Sequence, residues 1–333
     1  MMSTKKEATS LKNVFWVYPE RNTARQREFE ERRVWAPYRK VLESMGYRFG
    51  LVKPDDVHIE FDHERSVCFV NDARVTPRDT IFVTSMWTMP HQVVDTCNQL
   101  FLYSALEMLG FFLPIPLKFA NITVDKMATY LHLRECPVRH LPTSRIAAGR
   151  DVFTKDYAVA VANVKYPALV KPSYWAMGIG VCIAHNPEEL HGLVGLARGA
   201  DTAVVVQPFL SGASDYRVYV VNGEPVLIMK RSPRKDSLTA NLATGGTAEY
   251  TKTLPSELRG SIDYIASRLP MPYMAMDFLH DGERFWFSEI EPDGALVFDK
   301  ADELTDAMKV EAATKRFQAF VDGHSAHCAE LNQ

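Results

Sequence analysis

The stretch Met274–Gly294, MAMDFLHDGERFWFSEIEPDG, constrains this chain more than any other. It reads as two strands joined by a turn. Alternate residues of a strand point to one face. Phe285, Phe287, Glu289 and Glu291 therefore share a face that changes from apolar to doubly anionic. Two carboxylates held side by side repel, and burying them unpaired costs several kcal/mol. A cation should sit between them. The run Phe285–Glu291 holds no Lys or Arg, so a hard metal ion is the candidate neutraliser. Oxygen-only ligation suits Mg²⁺, which keeps waters and phosphate oxygens as its other ligands. Asp277 on the neighbouring strand is the natural third carboxylate. The alternative is an exposed strand end with solvated acids.

Register decides whether these carboxylates can meet. Asp281-Gly282 is the strongest local signal for a two-residue turn. Such a turn places Asp277 opposite Trp286 and turns Glu289 to the other face. A shared metal ion instead requires a wider connection, of about three or five residues centred on Gly282, with Asp277 opposite Phe287.

At 333 residues the chain favours two or more lobes over one core. Its net charge of −3 gives no general electrostatic case for nucleic acid or an anionic membrane. Cys68, Cys97, Cys136, Cys182 and Cys328 are scattered, odd in number and form no CxxC pair. A disulfide framework or zinc site is disfavoured, and a reducing cytoplasm fits. The first residues, MMSTKKEATS, lack the apolar core of a signal peptide. Leu100–Ala120 is interrupted by Glu107, Pro114, Pro116 and Lys118, which excludes a bilayer span.

Residues 1–13 read as a disordered tail. Residues 14–118 read as a small α/β lobe with a largely parallel sheet. Strands are expected at Val14–Tyr18, Tyr47–Val52, Ser66–Val70 and Thr80–Thr84, and helices at Val34–Met45 and Val93–Leu109. A second lobe spans 119–323, as two subdomains of 119–206 and 207–323, followed by a tail of 324–333. Thr123 can cap a helix with Asp125 in its first turn. Lys126 in that turn opposes the helix dipole, either as a solvated side chain or aimed at an anionic ligand. Ala168–Lys171 reads as a strand that leads into a loop carrying Gly178 and Gly180. Backbone N–H groups of such a loop can cradle phosphates, although an ordinary turn has the same pattern. The strand Thr202–Gln207, the Asn222-Gly223 hairpin and a last helix that stops at Gly323 complete the pattern.

In this order and spacing, the segments VDK, YPALVKPSYWAMGIGV, VVVQPFL, DYRVYVV, MKRSP, NLATGG and MDF…SEIEPDG resemble the ATP-grasp superfamily. Within it, the pattern is similar to that of the glutathione-synthetase-like and ribosomal-protein-glutamate-ligase-like carboxylate–amine ligases. The resemblance covers roughly Phe119–Phe298. It implies an α/β pre-ATP-grasp lobe followed by a two-subdomain ATP-grasp fold, with ATP between the sheets. It further implies that Lys126 and Lys171 meet the nucleotide, with Gly178 and Gly180 in the phosphate loop. Gln207, Pro208, Phe209 and Leu210 form the adenine hinge. Asp277, Glu289 and Glu291 hold two Mg²⁺ ions, with Mn²⁺ as a substitute. Arg217, Arg231 and Asn241 contact phosphates, acyl phosphate or substrate. Two departures stand out. Glu291 occupies a position where the family usually has Asn, and Tyr174 and Trp175 stand in the glycine loop where small residues are common.

The implied chemistry is amide or peptide bond formation on a small-molecule or peptide carboxylate and amine. No Ser–His–Asp or Cys–His pattern competes with it. A phosphotransferase on the same scaffold is the alternative, with Arg231, Arg234 and Lys235 as its modest basic cluster. A non-catalytic nucleotide-binding module is the third reading. Nucleic acid and membrane partners are not expected, and a homo-oligomer is left open.

Overall fold

The computed structural model describes residues 11–86, 88, 93–149, 157–233, 247–298 and 303–331. The first lobe opens with β1 (Asn13–Val17), whose VFWV run is buried on both faces. Helix α1 (Ala24–Glu30) passes through a π-helical turn over Glu31–Trp35 into α2 (Ala36–Ser44). Gly46 ends it at φ +88°, a left-handed conformation cheap only for glycine. Then follow β2 (Arg48–Val52), β3 (Val57–Phe61), β4 (Ser66–Val70), β5 (Ala73–Val75), β6 (Thr80–Val83) and helix α3 (Val93–Met108). Strands β2, β1 and β6 form the expected parallel sheet. Strands β3, β4 and β5 add an antiparallel sheet of which the sequence reading had only β4.

Helix α4 (Leu117–Val124) leads directly into α5 (Lys126–His132). The cap between them is Asp125, whose side chain accepts from Met127 N and Ala128 N. Thr123, expected to cap, lies inside α4 and bonds back to the Phe119 carbonyl. Strand β7 (Ser144–Ile146), helix α6 (Ala158–Val161), β8 (Ala168–Pro172), β9 (Cys182–Ala184), α7 (Pro187–Gly199) and β10 (Val204–Pro208) follow. Their antiparallel sheet has the order β7-β10-β8-β9. It packs its own core of Ile146, Val170, Leu190, Val194 and Val206. Ala120, Tyr130 and Leu133 belong to the large core instead.

The last sheet contains β11 (Ser214–Val221), β12 (Glu224–Ser232), β13 (Thr247–Thr251), β14 (Tyr273–His280) and β15 (Phe285–Glu291). Its order is β13-β12-β11-β14-β15, all antiparallel. Helix α8 (Arg259–Arg268) precedes β14, and α9 (Glu303–Glu330) closes the chain. Trp16, Tyr38, Val218, Met276, Phe287 and Phe317 share one core, so the first lobe is continuous with this sheet and with α9. Helix α9 does not stop at Gly323, and residues 324–330 belong to it rather than to a tail. The glycine is there for close packing, because a Cβ on it would lie 2.6 Å from Phe112 Cζ. Past it, His324 and His327 bond the Pro77 and Gly110 carbonyls of the first lobe.

The β14–β15 connection overturns the expected register in detail. His280 pairs with Phe285 and Phe278 with Phe287, so the connection is the four residues 281–284. It is wider than the Asp-Gly signal alone would make it, yet even in length. That parity would set Asp277 opposite Ser288. A β-bulge there shifts the register by one residue, and Asp277 faces Glu289 directly. Tyr130 holds the bulge by donating to the Ser288 carbonyl at 2.8 Å.

Asp281 organises the wider connection. Its Oδ1 accepts from Glu283 N and Arg284 N, both at 2.9 Å, and its Oδ2 from Trp286 Nε1 at 2.7 Å. The Trp286 bond, followed by the backbone donors, brings its carboxyl down to about 2. A folded-state value below the unfolded one means that the contribution is complete above the ordinary Asp range, near 4. It fades as pH falls toward 2. Asp281→Ala should lower stability by roughly 1 kcal/mol after solvent screening. The difference from wild type should shrink in acid urea melts followed by Trp fluorescence. A constant difference from pH 7 to pH 2 would count against this role.

Candidate active site

Cross-strand neighbours set the face of the last sheet. Arg217 stands opposite Asp277, Asp277 opposite Glu289, and Ala275 opposite Glu291. Asp215 stands opposite Arg231. Directly opposed residues point the same way, so Asp215, Arg217, Arg231, Asp277, Glu289 and Glu291 share one surface.

The counter-charge that the acids need comes from within the sheet. Arg217 binds Asp277 through two bonds, Nε to Oδ1 at 2.8 Å and Nη2 to Oδ2 at 2.6 Å. Arg231 Nη2 donates to Asp277 Oδ2 at 3.1 Å and to Asp215 Oδ2. Glu291 lies 3.6 Å from Arg217, and Glu289 lies 3.7 Å from Lys126 Nζ. Burial alone would raise the Asp277 carboxyl, but Arg217 and then Arg231 outweigh it and hold it below the usual range. Glu291 goes the other way. Its burial, reinforced by Glu289, Asp277 and Asp293 and only partly offset by Arg217, raises its carboxyl. Among the described residues, no three His, Cys, Asp or Glu side chains converge as a preformed metal cage.

The facing wall comes from α5 and β8. Lys126 is the first residue of α5, and its Nζ donates to Trp175 O at 3.0 Å. Ser173 O accepts from Lys126 N at 3.0 Å, which ties α5 to the start of the glycine loop. Arg145 on β7 donates to both Asp125 and Ser173 at 3.2 Å. Lys171 sits mid-strand in β8, opposite Val205. Burial brings its ammonium down to about 8, against the opposing pull of Glu289, Asp215 and Asp277. In the loop, Met177, Gly178 and Gly180 all have positive φ, at 63°, 72° and 74°.

The hinge differs from expectation in one respect. Gln207 is buried, and its amide donates to Tyr130 OH at 3.0 Å and Thr143 Oγ1 at 2.8 Å. Its side chain is thus engaged within the protein. Phe209 N is already engaged by Pro167 O at 3.0 Å. Asn241, Arg234 and Lys235 lie outside the described residues. Sequence reading gave no role to Asp215, Asp293, Ser85 or Tyr130. Asp215 precedes Arg217 with strand spacing, and Asp293 follows Glu291 by two, so a period-two count would have placed both at the site.

Residues 124–310 match the RimK-like ATP-grasp domain. The chain belongs to the RimK-like ATP-grasp family. A D-alanine–D-alanine ligase of a Nitratiruptor species is 22% identical over 182 residues, 51% of this chain and 51% of that protein. A probable alpha-L-glutamate ligase of Syntrophotalea carbinolica is 31% identical over 107 residues, 32% of this chain and 35% of that protein. The matched part thus spans about half of the first relative and about a third of the second. Over its whole length the fold is that of ATP-grasp ligases. A Bacillus anthracis D-alanine–D-alanine ligase, solved in complex with ATP, superposes with a TM-score of 0.60 at 13% identity. That match covers 96% of this chain and 99% of the other.

In this RimK-like ATP-grasp chain, the strand bearing the acids ends in a turn packed tightly on β14. A Cβ at Gly294 would lie 2.5 Å from Ala275 Cβ and 3.3 Å from Glu291 Cβ. Tyr273 OH also donates to Gly294 O at 2.5 Å. Neither backbone can yield easily. Gly294→Ala should therefore cost about 1–3 kcal/mol in urea unfolding. A midpoint equal to wild type would show that the turn is not packed in this way.

Proposed function

We propose that this chain is an ATP-dependent carboxylate–amine ligase that works through an acyl phosphate. The observation that carries the reading is the opposition of charge across one cleft. Lys126 and Lys171 lie on one wall, and the acids Asp277, Glu289 and Glu291, interleaved with Arg217 and Arg231, lie on the other. Lysines matched to phosphates beside acids matched to a hard cation form a site for a metal–nucleoside triphosphate.

The polar atoms of the cleft suit ligands of both signs. Among the described residues, Asp215 Oδ1 and Arg231 Nε are buried with no hydrogen-bond partner. An orphan carboxylate oxygen suits a cation, and an orphan guanidinium N–H suits a phosphate oxygen. Mg²⁺ fits the oxygen-only donors, because one or two carboxylates plus phosphates are enough for it. Glu289 and Glu291, with Asp277 behind them, would hold it, and two ions with Mn²⁺ as a substitute remain within this reading. Bound there, it would neutralise charge on the triphosphate.

Lys126, Lys171 and the N–H groups around Gly178 and Gly180 would fix the phosphates, and Pro208–Leu210 the base. A substrate carboxylate oxygen then attacks the γ-phosphorus and ADP leaves. Arg217 and Arg231 would supply positive charge to the transferred phosphoryl oxygens. The neutral amine nitrogen attacks the acyl carbon, the C–O bond to phosphate breaks, and the nitrogen loses its extra proton to the departing phosphate as the amide forms. Asn241 is retained as a substrate contact in this proposal. No covalent nucleophile is required.

Measuring ADP release across a panel of carboxylates and amines tests the reading. Acceptor-dependent release with an amide product is expected. A phosphorylated product without an amide would mark a kinase, and tight ATP binding without turnover a binding module. Lys171→Ala should weaken ATP binding by roughly 1.5–3 kcal/mol, read by calorimetry. An unchanged affinity would remove Lys171 from the site. Glu289→Gln should fold normally and raise the Mg²⁺ requirement on the order of 10–100-fold. Wild-type turnover at limiting Mg²⁺ would refute that role.

A further inference from the structure

The antiparallel sheet of the first lobe has an open edge. Its order is β3-β4-β5, so among the described strands β3 (Val57–Phe61) pairs with β4 alone. The opposite edge, β5, is three residues long, and shortness protects an edge. Strand β3 has five residues, VHIEF, without the proline, lysine or bulge that blunts other edges. Val57, Ile59 and Phe61 stand opposite Val70, Cys68 and Ser66, so they share the face on which Val70 and Cys68 enter the lobe's core. Of these three, Val57 packs against that core, whereas Ile59 is 38% and Phe61 76% exposed. His58 and Glu60, on the other face, are exposed as well. Beyond Val57 the strand therefore projects from the lobe with both faces clear.

The ladder fixes which backbone groups are free. Asp62 N donates to Arg65 O at 3.0 Å and Asn71 N to Asp56 O at 3.1 Å, at either end of the β3–β4 pair. Hydrogen-bonded pairs alternate with open ones along an antiparallel ladder. The even-numbered residues of β3 thus spend their backbone groups on β4, and those of Val57, Ile59 and Phe61 point outward. Val57 N–H is taken by Pro54 O in the short helical turn before the strand. The outward edge keeps the N–H groups of Ile59 and Phe61 and the carbonyls of Val57, Ile59 and Phe61.

This edge is complementary to itself. Set antiparallel to a second copy about a two-fold axis at Ile59, Val57 meets Phe61, Ile59 meets Ile59 and His58 meets Glu60. The odd-numbered positions then fall in hydrogen-bonded pairs, as their outward groups require. Ile59 N–H reaches the Ile59 carbonyl of the second copy, Phe61 N–H reaches its Val57 carbonyl, and the symmetry repeats both bonds. The exposed apolar side chains cover each other on one face. On the other, an imidazole stands opposite a carboxylate on either side of the axis. A register shifted by two residues would set His58 or Glu60 against its own copy and lose that match.

We propose that β3 pairs with β3 of a second copy of this chain, making one continuous sheet across a two-fold homodimer. The pairing does not depend on the ligase function. Sedimentation velocity of the full chain from about 1 to about 100 µM covers the weak range expected of so small an interface. Wild type should pass from monomer to dimer across that range. Ile59→Lys sets two ammonium groups face to face on the axis and should raise the dissociation constant roughly tenfold or more. His58→Glu should also weaken the dimer, and adding Glu60→His should restore it. Crosslinking reads the register, in a Cys97→Ala background that removes the exposed cysteine. Under mild oxidation Ile59→Cys should give a disulfide dimer, because Cα atoms about 5.5 Å apart in a hydrogen-bonded pair suit that bond. Phe61→Cys, more exposed but set against Val57 rather than its own copy, should not. A monomer at every concentration, a dimer that Ile59→Lys leaves intact, or equal crosslinking by Ile59→Cys and Phe61→Cys would overturn the proposal. Should Ile59→Lys not fold, the two cysteine variants still decide.

Discussion

Asp277 is 2% exposed and ionised, so its surroundings must answer its charge. An uncompensated carboxylate at that depth would cost several kcal/mol. The answer is a bidentate arginine on the adjacent strand and a second arginine one strand further out. Arg217 and Asp277 stand opposite each other on β11 and β14, and Arg231 lies two residues along β12, opposite Asp215. Removing either arginine would leave a buried anion short of a partner, and removing the aspartate would leave two guanidinium groups facing each other. The network is therefore a single unit with two ways to balance its charge. In one, arginines satisfy acids. In the other, under the proposed ligase function, phosphates would take the arginines and a hard cation the acids.

Helix α9 joins this unit to the first lobe. Three basic residues on it are fully buried, each against a different partner. Lys309 Nζ lies 4.3 Å from the Tyr250 ring centroid on β13. Arg316 lies 3.8 Å from the Tyr273 ring and 4.6 Å from that of Trp16, in contact with both β14 and β1. His324 bonds the Pro77 carbonyl at 2.7 Å. Arg316 Nη2 also donates to the Asp293 carbonyl, and Tyr38 OH accepts from both Arg316 and Leu296 N. Tyr219 OH donates to Ala295 O at 3.2 Å. The backbone from 293 to 296, just past the acids, is thus gripped by side chains from α2, α9 and the sheet. Aromatic faces are the natural lining for a desolvated guanidinium. They let a charged residue cross the interior without a carboxylate of its own.

Periodicity carried most of the fold into view in the sequence. The parallel strands of the first lobe, the glycine loop and the Asn222-Gly223 hairpin are all local patterns, and all appear as read. The misses share a cause, since each depends on contacts far away in sequence. Gly323 looks like a helix stop until Phe112 is packed against it. Thr123 looks like a cap until α4 is seen to run through it. The acid strand has no counter-cation within its own seven residues, whereas Arg217 and Arg231 are neighbours only across the sheet. Asp277 and Asp215 appear in sequence as two isolated acids, and only pairing shows that Arg231 bridges them.

The hairpin shows how a local preference and a functional register can both be met. Asp281 keeps its turn chemistry, accepting from the two amides that follow Gly282, but in a four-residue connection. An even connection alone would send Glu289 to the wrong face. The bulge at Ser288 restores it, and does so one residue before the first acid. A bulge leaves the extra residue's backbone unpaired in the ladder, and here the Ser288 carbonyl is taken by Tyr130. Tyr130 in turn accepts from Gln207, at the end of the neighbouring subdomain's central strand. The register of the acid strand is therefore tied through Tyr130 to the end of β10 in the neighbouring sheet.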